Sequence, residues 1–176
     1  MARRRVEEPF VIAPFTILVD DREGAPWTFQ NQVTKNRHKE IVPYYITVKK
    51  KRLRTGDYTV EGYEDIFAIE RKSLIDLFNS TSHGRENLEK EFQRMASMRY
   101  AIFLVEDSYT SIIHQPPAES RTTPRSVMGT HFSWVYKYPN VHWTAAPDRQ
   151  HAETFALRYC EKFFLNHVLR KSDESD

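Results

Sequence analysis

The chain is poor in several residue types, and each shortage excludes a class of protein. Its 176 residues include one cysteine, Cys160, so neither an internal disulfide nor a cysteine-based zinc site can form, and a reducing cytoplasm is the expected compartment. Only five glycines are present, none in a phosphate-binding loop, which predicts no nucleotide cofactor. No apolar run approaches the length that spans a bilayer, so no membrane association is expected. Neither a His-Glu-x-x-His motif nor a Ser-His-Asp arrangement is found.

Excess charge of one sign is also lacking, because the formal net charge is only +2. The basic residues are nevertheless clustered. They occupy positions 3–5 and a second segment formed by Lys49, Lys50, Lys51, Arg52 and Arg54. Such a segment favours contact with nucleic-acid phosphates, and a solvated hairpin face is the alternative.

Apolar patterning predicts strands that alternate with helices. Strands are expected at residues 15–19, 44–49, 58–60, 66–70, 101–105 and 141–144. Helices are expected after Ser73 and at residues 85–98, 126–137 and 151–169. This order predicts an α/β domain over residues 15–169. A basic arm (1–14) would precede it and a charged tail (170–176) would follow, with a loop at residues 114–125.

The last two helices carry specific expectations about their buried faces. In the helix at 126–137, Met128, Phe132 and Val135 are predicted to point inward. The final helix shows a broad apolar stripe, made of Phe155, Tyr159, Phe163 and Val168. This stripe exceeds what one sheet face needs, which suggests a homodimer through the C-terminal helices, with core packing as the alternative.

Two acids and a lysine form the pattern that carries chemistry. Side chains alternate along a strand, so Glu70 and Lys72 share one face while Arg71 points to the other. Asp57 follows a glycine turn and precedes a β-prone triplet, so a neighbouring strand of the same hairpin can carry it. Converging carboxylates bind a hard divalent cation such as Mg²⁺. A lysine beside them can orient or deprotonate water and offset transition-state charge, which indicates phosphodiester hydrolysis.

With its surroundings, this pattern resembles the nuclease motif of the XPF-type structure-specific endonucleases. That motif reads Gly-Asp…Glu-Arg-Lys-x-x-x-Asp, and the chain matches it from Gly56-Asp57 through Glu70-Arg71-Lys72 to Asp76. The resemblance implies a restriction-endonuclease-like core, PD-(D/E)xK in type, with a central mixed sheet flanked by helices. It also implies that Mg²⁺, or Mn²⁺ in its place, supports DNA cleavage that leaves a 5′-phosphate and a 3′-hydroxyl.

The resemblance also assigns roles to individual residues. The metal centre would be formed by Asp20, Glu23, Asp57 and Glu70. Lys72 would position or activate water, and Asp76 would support Lys72 or Arg71. Arg22 and Arg71 would steady the scissile phosphate or the acidic cluster. Arg85 occupies the family's Gly-Arg position and joins the basic segment as a DNA contact.

Two departures from the family pattern affect the expected substrate. Glu89 stands where the family often has glutamine. The helix-hairpin-helix and helicase domains of many relatives are not expected here, which predicts low intrinsic DNA affinity. A nuclease acting at flaps, branches or junctions in DNA repair or recombination is therefore expected, with nucleoid association when DNA is bound. A nuclease of plain duplex and a DNA-binding scaffold without cleavage are the alternatives.

Overall fold

The structure, a computed structural model, describes the backbone of residues 9–169 and the side chains of residues 9–167. The strands are β1 (Val11–Asp20), β2 (Val33–Lys35), β3 (Ile41–Lys51), β4 (Tyr58–Val60), β5 (Phe67–Lys72), β6 (Tyr100–Val105) and β7 (Val141–Ala145). The helices are α1 (Leu74–Thr81), α2 (Arg85–Ala96), α3 (Tyr109–His114), α4 (Pro124–Lys137) and α5 (Arg149–Phe163), and a π-helical segment follows (Phe164–Leu169). The predicted α/β class is confirmed. The predicted tail and residues 1–8 of the arm lie outside the described residues.

The strands form one mixed sheet in the order β2-β3-β1-β4-β5-β6-β7. β1 pairs in parallel with β3, and β5, β6 and β7 are parallel to one another. β4 runs antiparallel to both β1 and β5. The carboxyl ends of β1, β3, β5, β6 and β7 therefore lie at the same edge of the sheet as the start of β4. Asp20, Asp57 and Lys72 are brought to that edge by this topology.

Apolar residues cover both faces of the sheet. On one face Trp27 stacks on Tyr58 and Phe67 stacks on Phe163 of α5. On the other face Phe92 of α2 packs against Phe103 of β6 and against α4. β6 supplies residues to both layers, which is why its sequence is an almost uninterrupted apolar run.

The predicted inward face of α4 is wrong for two residues. Phe132 and Val135 are 61% and 48% exposed, and Met128 is only partly buried. The buried positions are instead Val127, Thr130 and Trp134, which follow the spacing i, i+3, i+7. The helix is rotated to this face because the Trp134 ring packs on Phe92, with ring centroids 4.5 Å apart.

The final helix also buries a different face from the predicted aromatic stripe. Its core contacts come from small residues spaced four apart, Ala152, Ala156 and Cys160, together with Leu157 and Phe163. Small side chains bring the helix axis close to the sheet, and this rotation leaves Phe155 36% exposed. Phe163 is buried as predicted, and Tyr159 is partly buried. The Val168 side chain lies outside the described residues. No helix in the described part of the chain is long and apolar enough to cross a membrane.

Candidate active site

Asp57 is fastened between β1 and β5 by backbone hydrogen bonds. Its N–H donates to the Ile69 carbonyl at 2.8 Å, and its carbonyl accepts the Asp20 N–H at 2.8 Å. The preceding Gly56 has φ +72°, and a Cβ there would lie 2.9 Å from the Ile69 carbonyl oxygen. A side chain at Gly56 would therefore push β4 away from β5, so the glycine is required for this close approach.

The edge of the sheet contains a cavity of about 530 Å³. It gathers several residues that the sequence predicts as site residues: Asp20, Arg22, Glu23, Asp57, Glu70 and Arg54. Two unpredicted residues of α2, Glu91 and Arg94, also line it. The cavity therefore combines acidic groups from β1, β5 and the Gly56 turn with side chains from the helix opposite.

The surroundings of Asp57 and Glu70 oppose the charged form of both carboxyl groups. Burial raises the pKa of Asp57 to about 7, a rise that the backbone N–H of Arg71 opposes and the charge of Glu23 increases. Burial, the charge of Asp57 and a hydrogen bond to Glu91 raise the pKa of Glu70 well above its usual value. A divalent cation would remove this mutual repulsion, because it would neutralise both carboxylates at once.

Lys72 is held between two carboxylates from different elements. Its Nζ lies 3.3 Å from Oε1 of Glu70 and 3.3 Å from Oε2 of Glu91, and its side chain is only 12% exposed. Burial would lower the pKa of Lys72, but the charges of Glu70 and Glu91 outweigh it and raise the pKa. Both carboxylates therefore favour the ammonium form of the amine.

Glu91 is an acidic residue of the cavity that sequence reasoning missed. It belongs to an amphipathic helix whose outer faces are rich in charge, and nothing in the helical period separates it from Glu89. Its position next to Phe92 is the sequence signal that could have identified it. Phe92 is buried against β6, so Glu91 lies at the edge of the buried face of α2 and can reach the site.

Asp20 and Arg22, which both line this cavity, form a salt bridge that occupies the Asp20 carboxylate. The Asp20 Oδ1 accepts hydrogen bonds from the N–H and Nε of Arg22, and Oδ2 accepts from Arg22 Nη2 and from the Leu53 N–H, all at 2.8–2.9 Å. The side-chain hydrogen bond from Arg22 is the main cause that lowers the pKa of Asp20 to about 2, despite burial. To act as a metal ligand, Asp20 would have to give up some of these bonds.

Arg71 is the centre of a second, nearly buried network. It donates to both oxygens of Glu23, at 3.0 and 3.2 Å, and to Glu106 Oε2 at 2.6 Å. Glu106 in turn accepts from Arg149 and from the Trp27 indole N–H. Arg71 thus contacts two acidic residues, and its predicted role of steadying the acidic cluster stays a prediction. Glu106 and Arg149, which the sequence did not single out, complete the network.

Two predicted site residues have other partners. The Asp76 side chain is exposed and pairs with the Ser73 hydroxyl at 2.6 Å, so its predicted contact with Lys72 or Arg71 is wrong in this structure. Asp76 belongs to the N-terminal turn of α1, where Ser73 is the cap. Arg85 donates to Thr130 of α4 at 2.8 Å and lies over the Trp134 ring.

The predicted basic segment is partly neutralised by acidic neighbours. Lys49 pairs with Glu61, and the pairs of Lys51 and Arg52 are with Glu64 and Asp21. Arg54 differs because it is a lining residue of the cavity that contains Asp57 and Glu70. Lys50 is exposed.

The donor set fits Mg²⁺ better than a metal that needs a full protein cage. Within the described residues, no group of three or more His, Cys, Asp or Glu residues is arranged to hold a metal ion. Asp57 and Glu70 provide two carboxylates, and one Asp57 oxygen already accepts the Arg71 N–H at 2.8 Å. Mg²⁺ keeps several waters and binds through one or two carboxylates plus substrate phosphates, so two protein ligands are enough.

Known proteins are similar to this chain in fold. XPF from Aeropyrum pernix is similar in structure, with a TM-score of 0.59 and 18% identity over 90% of this chain and 69% of that one. The same protein in complex with DNA gives a TM-score of 0.56 and 19% identity, over 85% of this chain and 64% of that one. These likenesses confirm the restriction-endonuclease-like fold. No curated protein matches the chain in sequence. A family model for the ERCC4 domain matches residues 19–157, and because this is well over half of the chain, the protein belongs to the ERCC4 domain family.

Proposed function

We propose that this protein is a Mg²⁺-dependent DNA endonuclease that cuts flaps, branches or junctions. Family membership supports the nuclease class. The observation that carries the proposal is the convergence of three residues at one edge of the sheet: Asp57 and Glu70 line the same cavity, and the Lys72 amine lies 3.3 Å from Glu70. The DNA complex of the structurally similar XPF supports DNA as the partner.

Asp57 and Glu70 would hold the cation. When bound, it would polarise a phosphoryl oxygen and make a bound water more acidic. Asp57 is positioned for this by β1 and β5, and one of its oxygens is fixed by the Arg71 N–H. Asp20 and Glu23 remain predicted ligands, although each would first have to release an arginine. Mn²⁺ is the expected substitute because it accepts the same oxygen ligands.

Lys72 would act through its positive charge. Because the charges of Glu70 and Glu91 raise its pKa, the ammonium form is favoured, and this supports a role through charge over proton abstraction from water. As an ammonium ion it can orient the attacking water and offset the charge that develops on the phosphoryl oxygens. Glu91 would keep the amine in place when Glu70 turns towards the cation, since it is the second carboxylate that Lys72 contacts.

DNA would approach along the basic residues at this edge of the sheet. The ion pairs of Lys49, Lys51 and Arg52 weaken their attraction for phosphates, which supports the predicted low intrinsic affinity. Roles in repair or recombination, and a cytoplasmic or nucleoid-associated location, stay predictions. Homodimerisation through the C-terminal helices also stays a prediction, and light scattering during gel filtration would test it.

Cleavage assays on a panel of labelled DNAs distinguish the alternative substrates. Wild type is expected to cut a flap, a fork or a Holliday junction in Mg²⁺ faster than linear duplex, and to be inactive in EDTA. Lys72→Ala is expected to lower the cleavage rate by about 10² to 10³-fold, because one preorganised charge is lost from the transition state.

Each alternative predicts a different pattern in the same gels. Equal cutting of duplex and branched DNA would favour the duplex nuclease, and binding without cutting on every substrate would favour the scaffold. Cleavage that survives unchanged in Lys72→Ala would contradict the assigned site.

Metal binding should change thermal stability in a pH-dependent way. The folded-state pKa of Asp57, about 7, exceeds its ordinary value of 3.8. The folded protein therefore binds a proton that the unfolded chain has released, so in EDTA the Asp57 contribution to stability falls as pH rises from about 4 to about 7. Mg²⁺ competes with that proton. We expect Mg²⁺ to raise the melting temperature more at pH 8 than at pH 5.5.

The control for this experiment is EDTA at matched ionic strength. Asp57→Asn should lose most of the Mg²⁺-induced rise and should melt higher than wild type in EDTA at pH 8, since it carries no buried charge. A melting curve of wild type that Mg²⁺ leaves unchanged at both pH values would contradict the ligand assignment.

A further inference from the structure

Arg54 and Arg94 lie where two cavities adjoin. Both side chains line the carboxylate cavity of about 530 Å³, and both line a second cavity of about 300 Å³. Arg54 belongs to the segment between β3 and β4, and Arg94 belongs to α2. Two arginines from separate parts of the chain are therefore shared by the candidate active site and the neighbouring cavity.

These guanidinium groups are available for a ligand. Both residues are exposed, and within the described part of the chain neither forms an ion pair. They differ in this respect from Lys49, Lys51 and Arg52, which are engaged by carboxylates. Arginine presents a planar fork of donors that matches a phosphate group, so an unpaired arginine pair suits a phosphodiester.

We propose that Arg54 and Arg94 bind a phosphodiester group next to the one that is cleaved, so that the DNA strand leaves the carboxylates through the second cavity. The proposal rests on the proposed nuclease function. The walls of the second cavity fit this path: Glu64 is already neutralised by Lys51, at 2.6 Å. Asp65 is the exposed acidic group that would oppose the phosphate.

Binding in EDTA tests the proposal without depending on catalysis. Fluorescence anisotropy with a labelled flap should show that Arg94→Gln raises Kd about tenfold, the effect of losing one charge-assisted hydrogen-bonding group. The slope of log Kd against log salt concentration should fall by about one unit. Asp65→Asn should tighten binding.

Arg99→Gln is the matched control, since it removes the same charge at an exposed site. Arg99 directly precedes β6, at the opposite edge of the sheet from the cavity. If Arg94→Gln and Arg99→Gln weaken binding equally, the subsite is wrong although the nuclease proposal survives. If wild type neither binds nor cuts DNA, both proposals fail.

A modified substrate tests which phosphate is bound. Once the cleavage position is mapped, a single neutral methylphosphonate can replace the neighbouring phosphate on either side. On one of these two substrates Arg94→Gln should no longer raise Kd relative to wild type, because the variant and the modification remove the same interaction. An undiminished rise in Kd on both would exclude the adjacent phosphate as the ligand of Arg94.

Discussion

Asp57→Asn is expected to lower the rate of DNA cleavage by about 10³-fold or more while the fold is retained. Asparagine has nearly the same shape and can still accept the Arg71 N–H that binds Oδ2 at present. It has no negative charge, however, so only Glu70 would remain of the two carboxylates proposed to hold the cation. The measurement is the single-turnover cleavage rate on the best flap or fork substrate in saturating Mg²⁺.

A second readout separates a lost cation from a damaged fold. Isothermal titration with Mn²⁺ should show weaker binding by Asp57→Asn than by wild type, and circular dichroism spectra of the two should agree. Glu119→Gln is the control, because Glu119 is an exposed carboxylate in the segment between α3 and α4. If Asp57→Asn cleaves within tenfold of wild type, the proposed metal pair is wrong.

Arg71→Ala is expected to destabilise the folded protein by about 3 kcal/mol or more. The Arg71 side chain is 10% exposed, and its partners Glu23 and Glu106 are 7% and 6% exposed. Removing the guanidinium would leave the buried Glu23 without its ion-pair partner, with only the longer-range charge of Arg149, and a poorly compensated buried charge is costly. Glu106 would retain Arg149 and Trp27, so most of the loss should come from Glu23.

Chemical denaturation in EDTA measures this change in unfolding free energy. The double variant Arg71→Ala/Glu23→Gln should recover part of the lost unfolding free energy, because it also removes the carboxylate charge that Arg71 neutralises in wild type. Lys49→Ala is the comparison, because its pair with Glu61 is exposed and should contribute no more than about 1 kcal/mol. A cost for Arg71→Ala no larger than that of Lys49→Ala would show that the network is not stabilising.

The active-site pattern was predictable because it depends on local geometry. Glu70 and Lys72 share a face for the simple reason that strand side chains alternate, and the structure joins them at 3.3 Å. The glycine before Asp57 indicated a turn, and Gly56 indeed adopts a positive φ. The apolar run of β6 likewise predicted a strand buried on both faces.

The errors concern contacts between elements that are distant in sequence. The period of α4 allowed several inward faces, and packing of Trp134 on Phe92 selected one that leaves Phe132 exposed. Nothing local distinguishes Glu91 from its charged neighbours. Asp76 was predicted to support the site but pairs with Ser73, since a capping interaction three residues away competes with longer-range partners.

By itself the sequence determined the α/β class, the family and the shared strand face of Glu70 and Lys72, because strand alternation acts within a few residues. Only the tertiary structure decided that Glu91 also contacts Lys72, that Arg71 pairs with both Glu23 and Glu106, and that Arg54 and Arg94 line the cavity without an ion pair to any described residue. Those outcomes depend on how helices rotate against the sheet and on which charges meet there. Both are set by the packing of residues far apart in the chain.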